Sequence, residues 1–378
     1  LTVFITAGDP SADIHAARLM AEIRARVPEV VFEGFGGPNM ELQGLRTVAH
    51  LADLAVSGFW EVAKRYRYFS QLLNKCKGLL GSRKPDVFIP VDYPGFNLRL
   101  ATHAKKLHIP VAWYIAPQLW AWGENRAVKL ANAVDKLLVV FPFEVEFFAK
   151  HNIKTEYVGH PVLDEIRDVN DVSKTGGTII SGMNISGMNT GGPIIMMPGS
   201  RKQELHHHVP ILAQTIGLLH QSGIKNSVVI PMAAGVDERL VKPLTNLGAT
   251  IVKDAREHMN TASAGLIKAG TSTLEASLAG LPFATYYRTS TLSYQLSKRL
   301  VTVDSITMMN LLLKRNVINE FVQHRATPQL LVNELKSLIS NAERRSEISN
   351  AAAELRTLLG GAGAARRAAE VVCGMVKK

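Results

Sequence analysis

Along the first half of the chain, short apolar or β-branched runs alternate with longer stretches whose apolar residues recur at helical spacing. Strands are predicted at Thr2–Thr6, Val30–Phe35, Val87–Val91, Val111–Ile115 and Leu137–Phe141, with helices between them. A second series of the same kind predicts strands at Ile194–Met197, Ser227–Pro231, Ala249–Val252, Gly265–Lys268 and Phe283–Tyr287. Regular alternation of strand and helix builds parallel sheets covered by helices, so the pattern predicts two α/β domains with a cleft between them. Between the series, from Asn170 to Gly192, the composition turns to Gly, Ser, Asn, Thr and Met, and Ile-Ser-Gly-Met-Asn occurs twice in tandem, at Ile180–Asn184 and Ile185–Asn189. This stretch reads as a linker or exposed loop. After Gln329 the pattern is helical to the end, broken at Gly360-Gly361-Ala362-Gly363. The expected division is a first domain over 1–165, a linker over 166–192, a second domain over 193–345, and C-terminal helices over 346–378 that pack back on the first domain or on a partner subunit.

Composition narrows the class. A chain of 378 residues, 47% hydrophobic and 20% charged, has an ordinary globular balance and length for two cores. Its apolar runs fall short of the ~20 residues that a spanning helix needs. Leu1–Ala7 runs straight into a strand pattern with no basic leader, so the cytoplasm is the expected compartment. Cys76 and Cys373 stand far apart in apolar helical contexts and suit buried thiols better than a disulfide or a metal site. The net charge of +11 calls for an anionic partner, which can be nucleic acid, a phosphorylated substrate or an anionic lipid surface. With no zinc-finger spacing, RNA-binding signature or Lys/Arg block in the sequence, nucleic acid is not expected.

The candidate chemistry lies where strands end, because ligands of such sheets sit beyond the strand carboxyl ends. Met197-Pro198-Gly199-Ser200-Arg201 follows a strand and precedes a helix. A small-residue turn there offers backbone N–H groups to an anion, and Arg201 adds a cationic fork. Ala269-Gly270-Thr271-Ser272-Thr273-Leu274-Glu275 repeats the arrangement, with hydroxyls that can cap the helix or bind phosphate and Glu275 able to accept ribose or base hydrogen bonds. Each turn alone reads equally as a plain strand-to-helix connection; two together point to a nucleotide diphosphate. In the first domain, Asp92 can act as a general base or simply start the turn at Tyr93-Pro94-Gly95. Asp9, Ser11 and Asp13 form a similar cluster that can cap a helix or touch substrate. His206–His208 are consecutive on a helix and cannot all ligate one ion, and no Asp-x-Asp is present, so no metal and no cofactor are expected. From Phe59 to Leu80 an apolar stripe runs beside Lys64, Arg65, Arg67, Lys75 and Lys77, which suits a lipid interface or a core helix with a basic solvent face.

These stretches, in order, resemble the lipid-A-disaccharide synthases. The resemblance rests on Ala7–Asp13, Gly36-Gly37-Pro38, Lys84–Val87, Asp92-Tyr93-Pro94, Ala116–Trp122, Phe141–Glu144, Val158-Gly159-His160-Pro161, Pro198–Arg201 with Glu204, Gly270–Glu275, Tyr287-Arg288 and Asn310-Leu311-Leu312. It implies a GT-B fold of two facing Rossmann-like, doubly wound domains. It further implies transfer of 2,3-diacylglucosamine from UDP-2,3-diacylglucosamine to 2,3-diacylglucosamine 1-phosphate, forming a β-1,6 bond and releasing UDP. By motif, Asp92 would be the base and Arg201 the cation on the departing UDP, with Asp9 and Ser11 beside them. Gly199, Ser200, Gly270, Thr271, Ser272, Thr273, Glu275, Arg288, Asn310, His160 and Trp120 would bind substrate. Phe59, Trp60, Val62, Ala63, Tyr66 and Phe69 would meet acyl chains. The resemblance places the protein peripherally on the inner face of the cytoplasmic membrane and admits a homodimer formed by exchange of C-terminal helices. Three positions depart from the family pattern: Asp9 replaces a Glu, Ala12 a Gly, and Gly123 an Arg. Two other readings stay open: another UDP-sugar enzyme of the same fold, such as a peptidoglycan glycosyltransferase or an epimerase, and a non-catalytic sugar-nucleotide or lipid-binding protein.

Overall fold

The computed structural model describes residues 1–50, 66–165, 190–232, 236–291, 293–295 and 303–376. The chain divides into two compact units, Leu1–Gly177 with Leu359–Lys378, and Thr178–Leu358.

The first unit runs β1 (Thr2–Ala7), α1 (Pro10–Arg26), β2 (Val31–Gly36), α2 (Pro38–Leu42), β3 (Leu45–His50), α3 (Tyr66–Arg83), β4 (Val87–Val91), α4 (Pro94–Lys106), β5 (Ala112–Tyr114), α5 (Ala127–Ala131), β6 (Lys136–Val139), α6 (Pro142–Ala149) and β7 (Thr155–Tyr157). Among the described residues its strands form one parallel sheet in the order β3-β2-β1-β4-β5-β6-β7. The central strands are apolar on both faces, as a sheet covered on both sides requires. Phe4, Phe88 and Trp113 pack with Leu72, Cys76, Leu80 and Leu100 on one side. Val3, Ile5, Ile89 and Tyr114 pack on the other with Ala16, Leu19 and Met20 of α1. Cys76 and Cys373 are both buried and form no disulfide.

The second unit runs β8 (Ile194–Met197), α7 (Lys202–Gln221), β9 (Val228–Pro231), α8 (Lys242–Thr245), β10 (Thr250–Val252), α9 (Ala255–Thr261), β11 (Ala264–Lys268), α10 (Thr271–Ala279), β12 (Phe283–Tyr287), α11 (Met308–Leu313), β13 (Glu320–Val322), α12 (Pro328–Ser340) and α13 (Ala342–Leu359). Its parallel strands are ordered β10-β9-β8-β11-β12-β13. The last helix, α14 (Ala364–Val376), returns to the first unit, where Ala368, Ala369, Val372 and Cys373 join the core beside α1. The carboxylate of Asp164 accepts the N–H groups of Gly363, Ala364 and Ala365 and so caps α14.

The expected boundary at residue 346 falls inside α13. Buried Arg345 donates to the carbonyls of Ser263 (2.9 Å) and Leu338 (2.7 Å), and Arg356 donates to that of Leu278 (2.8 Å), which ties α13 to the second unit. Strands β3, β7 and β13 are absent from the sequence expectation. They lie at sheet edges, need an apolar partner on fewer sides, and carry Arg46, Glu156 and Glu320. The tandem repeat Ile180–Asn189 lies outside the described residues, as do Phe59, Trp60, Val62 and Ala63 and the side chain of Tyr66. Phe69 is half-buried and packs against the first unit's core.

Asp13, 1% exposed, accepts from Gly37 N (2.8 Å) and Met40 N (3.1 Å) through one oxygen and from Asn39 N (3.1 Å) and Nδ2 (2.8 Å) through the other. It fixes the entry to α2 and leaves no acceptor for a ligand. Asp13→Ala strands three backbone N–H groups and is expected to cost about 3 kcal/mol in urea unfolding, with Asp13→Asn costing less; an unchanged midpoint for the Ala variant would contradict this role.

Candidate active site

Each sheet reverses strand order once, between β1 and β4 and between β8 and β11. In doubly wound sheets the crevice outside the carboxyl ends at such a point is the ligand site. The register sets Ala7 beside Val91 and Met197 beside Ile267. The loop at Asp9 therefore adjoins the loop at Asp92, and the turn at Pro198–Arg201 adjoins Lys268–Gly270.

In the first unit, Asp92 and Tyr93 take consecutive left-handed conformations, φ 46° and 50°. Such backbone is costly for residues with a Cβ and persists only where the surroundings fix it. Here Asp92 N–H donates to the Tyr114 carbonyl (3.1 Å), and Asn97 Nδ2 donates to the Asp92 carbonyl (2.8 Å) while its own Oδ1 accepts from Thr6 Oγ1 (2.8 Å). The Tyr93 ring covers Gly8 so closely that a Cβ there would lie 2.2 Å from Cγ of the ring, which explains the glycine. Burial pushes the Asp92 carboxyl up to about 7; the charge of Asp9 adds to the rise, and a hydrogen bond from the Tyr93 backbone opposes it.

Asp9 itself is the N-cap of α1, accepting from Ala12 N (2.9 Å), so its carboxylate has a structural task as well as a field on Asp92. Exposed Ser11 lies 3.2 Å from His15 Nε2, and buried His15 places Nδ1 3.4 Å from the carboxylate of buried Glu165. His15 and Glu165 did not stand out in the sequence; the Ser11–His15 spacing of one helical turn was the available signal.

Trp120 donates from Nε1 to buried Glu144 (2.9 Å), whose other oxygen accepts from Val140 N (3.1 Å) and Phe141 N (3.0 Å). Burial outweighs these bonds and pushes Glu144 up to about 7. His160 packs on Phe141, accepts from Val162 N (3.2 Å) through Nδ1, and is held near 3 by burial and by His15. Trp120 and His160 thus meet at Phe141, each packed against its ring. At Gly123, φ 80°, a Cβ would meet Arg126 Nε at 2.7 Å; the Arg126 guanidinium stacks on exposed Trp122, 4.1 Å from the ring centroid.

In the second unit the Pro198–Arg201 turn differs from the expected open anion cradle. Buried Glu204 bends back so that one oxygen accepts from Ser200 N (3.2 Å) and Arg201 N (3.4 Å), and the other pairs with Lys268 Nζ (3.0 Å). A Cβ at Gly199, φ 111°, would sit 2.5 Å from that carboxylate. Burial raises the Glu204 pKa, but Lys268 and Arg201 more than reverse it and hold the group below its usual value. The Arg201 side chain is 66% exposed, 3.9 Å from Glu204, so its guanidinium faces outward.

Thr271 and Ser272 open α10, and half-buried Glu275 pairs with Arg256 (3.0 Å). Thr273 is buried and donates to the Gly270 carbonyl (2.8 Å), and buried Asn310 spends its amide on Val317 N, Ile318 N, Ile318 O and Glu320. Both side chains are turned to the backbone: Asn310 satisfies groups that burial would otherwise orphan, and Thr273 bonds back to the start of its own helix. Arg288, at the end of β12, is exposed.

A family model described as lipid-A-disaccharide synthetase matches residues 3–373. The chain belongs to the lipid-A-disaccharide synthase family. It is 35% identical to the lipid-A-disaccharide synthase of Trichlorobacter lovleyi over 100% of this chain and 98% of that one, and 33% identical to that of Syntrophus aciditrophicus at the same coverage. Similar solved structures include UDP-GlcNAc 2-epimerase from Neisseria meningitidis bound to UDP-GlcNAc, with a TM-score of 0.67, 15% identity and coverage of 100% and 99%. The calicheamicin glycosyltransferase CalG4 gives a TM-score of 0.58 at 13% identity, with coverage of 100% and 98%. These likenesses place the fold in the GT-B class. Family membership makes the chain a UDP-sugar glycosyltransferase of lipid A biosynthesis. Among the described residues no helix is long and apolar enough to cross a membrane.

Carboxyl carbon NMR of the free protein is expected to show Asp92 titrating near 7. Asp9→Asn keeps an N-cap oxygen but drops the charge, so it should move that midpoint to lower pH. A midpoint in the ordinary Asp range, or one that ignores the substitution, would contradict the electrostatic account.

Proposed function

We propose that the protein transfers 2,3-diacylglucosamine from UDP-2,3-diacylglucosamine to the 6-hydroxyl of 2,3-diacylglucosamine 1-phosphate, with inversion, giving the β-1,6 disaccharide and UDP. The acceptor hydroxyl attacks the anomeric carbon as its proton passes to Asp92, and the bond from that carbon to the diphosphate oxygen breaks. Arg201 balances the negative charge that develops on the departing UDP. Thr271 and Ser272 at the start of α10 offer hydroxyls to the same diphosphate, and Glu275 offers a carboxylate to the ribose or base.

The observation that carries this reading is Asp92. It is a half-buried carboxyl at a strand reversal, held on a strained loop that Tyr114 and Asn97 tie down, with a pKa raised to about 7. A base poised near the working pH has both the right protonation state and enough driving force. The names of the relatives support the substrate class. Because both substrates are acylated, the reading places the enzyme peripherally on the inner face of the cytoplasmic membrane, which a net charge of +11 favours.

The test is UDP release from the diacylated donor, with and without the acceptor, in detergent and with a chelator present. Acceptor-dependent release that persists with the chelator is expected. Asp92→Asn should lower kcat by about a hundredfold or more, and Arg201→Ala by about a hundredfold. An intact UDP-sugar of altered configuration would favour an epimerase, and near-full turnover by Asp92→Asn would remove the base from the mechanism.

A further inference from the structure

His208 lies in α7, fully buried, and both of its ring nitrogens are engaged by backbone. Arg288 N–H donates to Nε2 at 3.1 Å. A backbone N–H can only donate, so Nε2 carries a lone pair and the remaining proton sits on Nδ1. That proton is donated to the Pro198 carbonyl, 2.7 Å away. One tautomer therefore joins the first residue of the Pro198–Arg201 turn to the residue that follows β12.

The ring is also fixed in its plane. Tyr286 and Tyr287 lie edge-on to it, with centroids at 5.0 and 5.5 Å, and the Tyr286 hydroxyl donates to the Met197 carbonyl (2.9 Å). Burial lowers the imidazole pKa and favours the neutral ring that this arrangement requires; Glu204 raises it and Lys268 lowers it. Arg288, by contrast, has an exposed side chain at the carboxyl end of the sheet, next to β11 through the pairing of Tyr286 with Lys268.

We infer that His208 is a positioning residue: by accepting the Arg288 N–H while bound to the Pro198 carbonyl, it holds Arg288 at the nucleotide-diphosphate site and locks that site's two strand ends together. The inference rests on the nucleotide reading given above. An arginine on a free strand end would lose affinity to the freedom of its own backbone, and a buried two-bond clamp removes that freedom. The part His208 plays is thus exerted through Arg288 and not by contact with the ligand.

The test is calorimetric titration of UDP into the full chain as wild type, His208→Phe, His208→Gln, His208→Asn, Arg288→Ala and the His208→Phe/Arg288→Ala double variant. His208→Phe keeps the ring packing but neither hydrogen bond, and is expected to weaken UDP binding about tenfold. The double variant should bind no more weakly than Arg288→Ala alone, because residues acting through one contact do not add. A Phe variant within twofold of wild type, or additive losses in the double variant, would overturn the inference. Should the Phe variant not fold, the Gln and Asn variants decide. The Gln amide oxygen reaches the Nε2 position and should bind UDP more tightly than Asn, which reaches only the Nδ1 position; equal affinities overturn the role. Absence of UDP binding in the wild type would instead sink the nucleotide reading beneath it.

Discussion

Right-handed crossovers on both sides of a parallel sheet force the strand order to reverse somewhere, and at that point two neighbouring loops leave the sheet in opposite directions. In this chain that constraint operates twice, at β1/β4 and at β8/β11. It brings Asp9 beside Asp92, which are more than eighty residues apart in sequence, and the Pro198 turn beside Lys268. The chemistry of the protein follows from which side chains stand on those four loops and how each is paired.

The two units handle buried carboxylates in opposite ways. Glu204 is desolvated but has Lys268 at 3.0 Å and two backbone donors, so it stays ionised and works as a bracket for the Arg201 turn. Asp92 is desolvated beside a second carboxylate, Asp9, and is driven toward neutrality at physiological pH. A paired buried carboxylate is a scaffold; an unpaired one that can gain or lose a proton near pH 7 is suited to general-base work. The same contrast separates Glu144, high in pKa but spent on Trp120 and the backbone, from half-buried Asp92 at its strand end.

Much of this was legible in the sequence because it depends on local signals. The central strands are continuous apolar runs, the loops at their ends carry small residues, and the Gly360–Gly363 break ends α13 before α14 begins. The edge strands β3, β7 and β13 were not legible, since Arg46, Glu156 and Glu320 interrupt their apolar runs, whereas the edge strand β10 keeps Ile251 and Val252. Nor could spacing reveal how side chains would be spent. Asn310 and Thr273 match the family motif yet close backbone bonds, whereas His208, one of three consecutive histidines, clamps loops at Pro198 and Arg288 that lie far apart in sequence. Such roles depend on which atom faces which, and that is set only when the sheet forms.

The most direct test of the account is the pH dependence of kcat/KM for acceptor-dependent UDP release, compared among wild type, Asp9→Asn and Asp92→Asn. The account predicts an acid limb near pH 7 in the wild type, displaced to lower pH in Asp9→Asn and absent from the residual activity of Asp92→Asn. A limb that keeps its position in all three proteins would contradict it, because the titrating base would then be some other group.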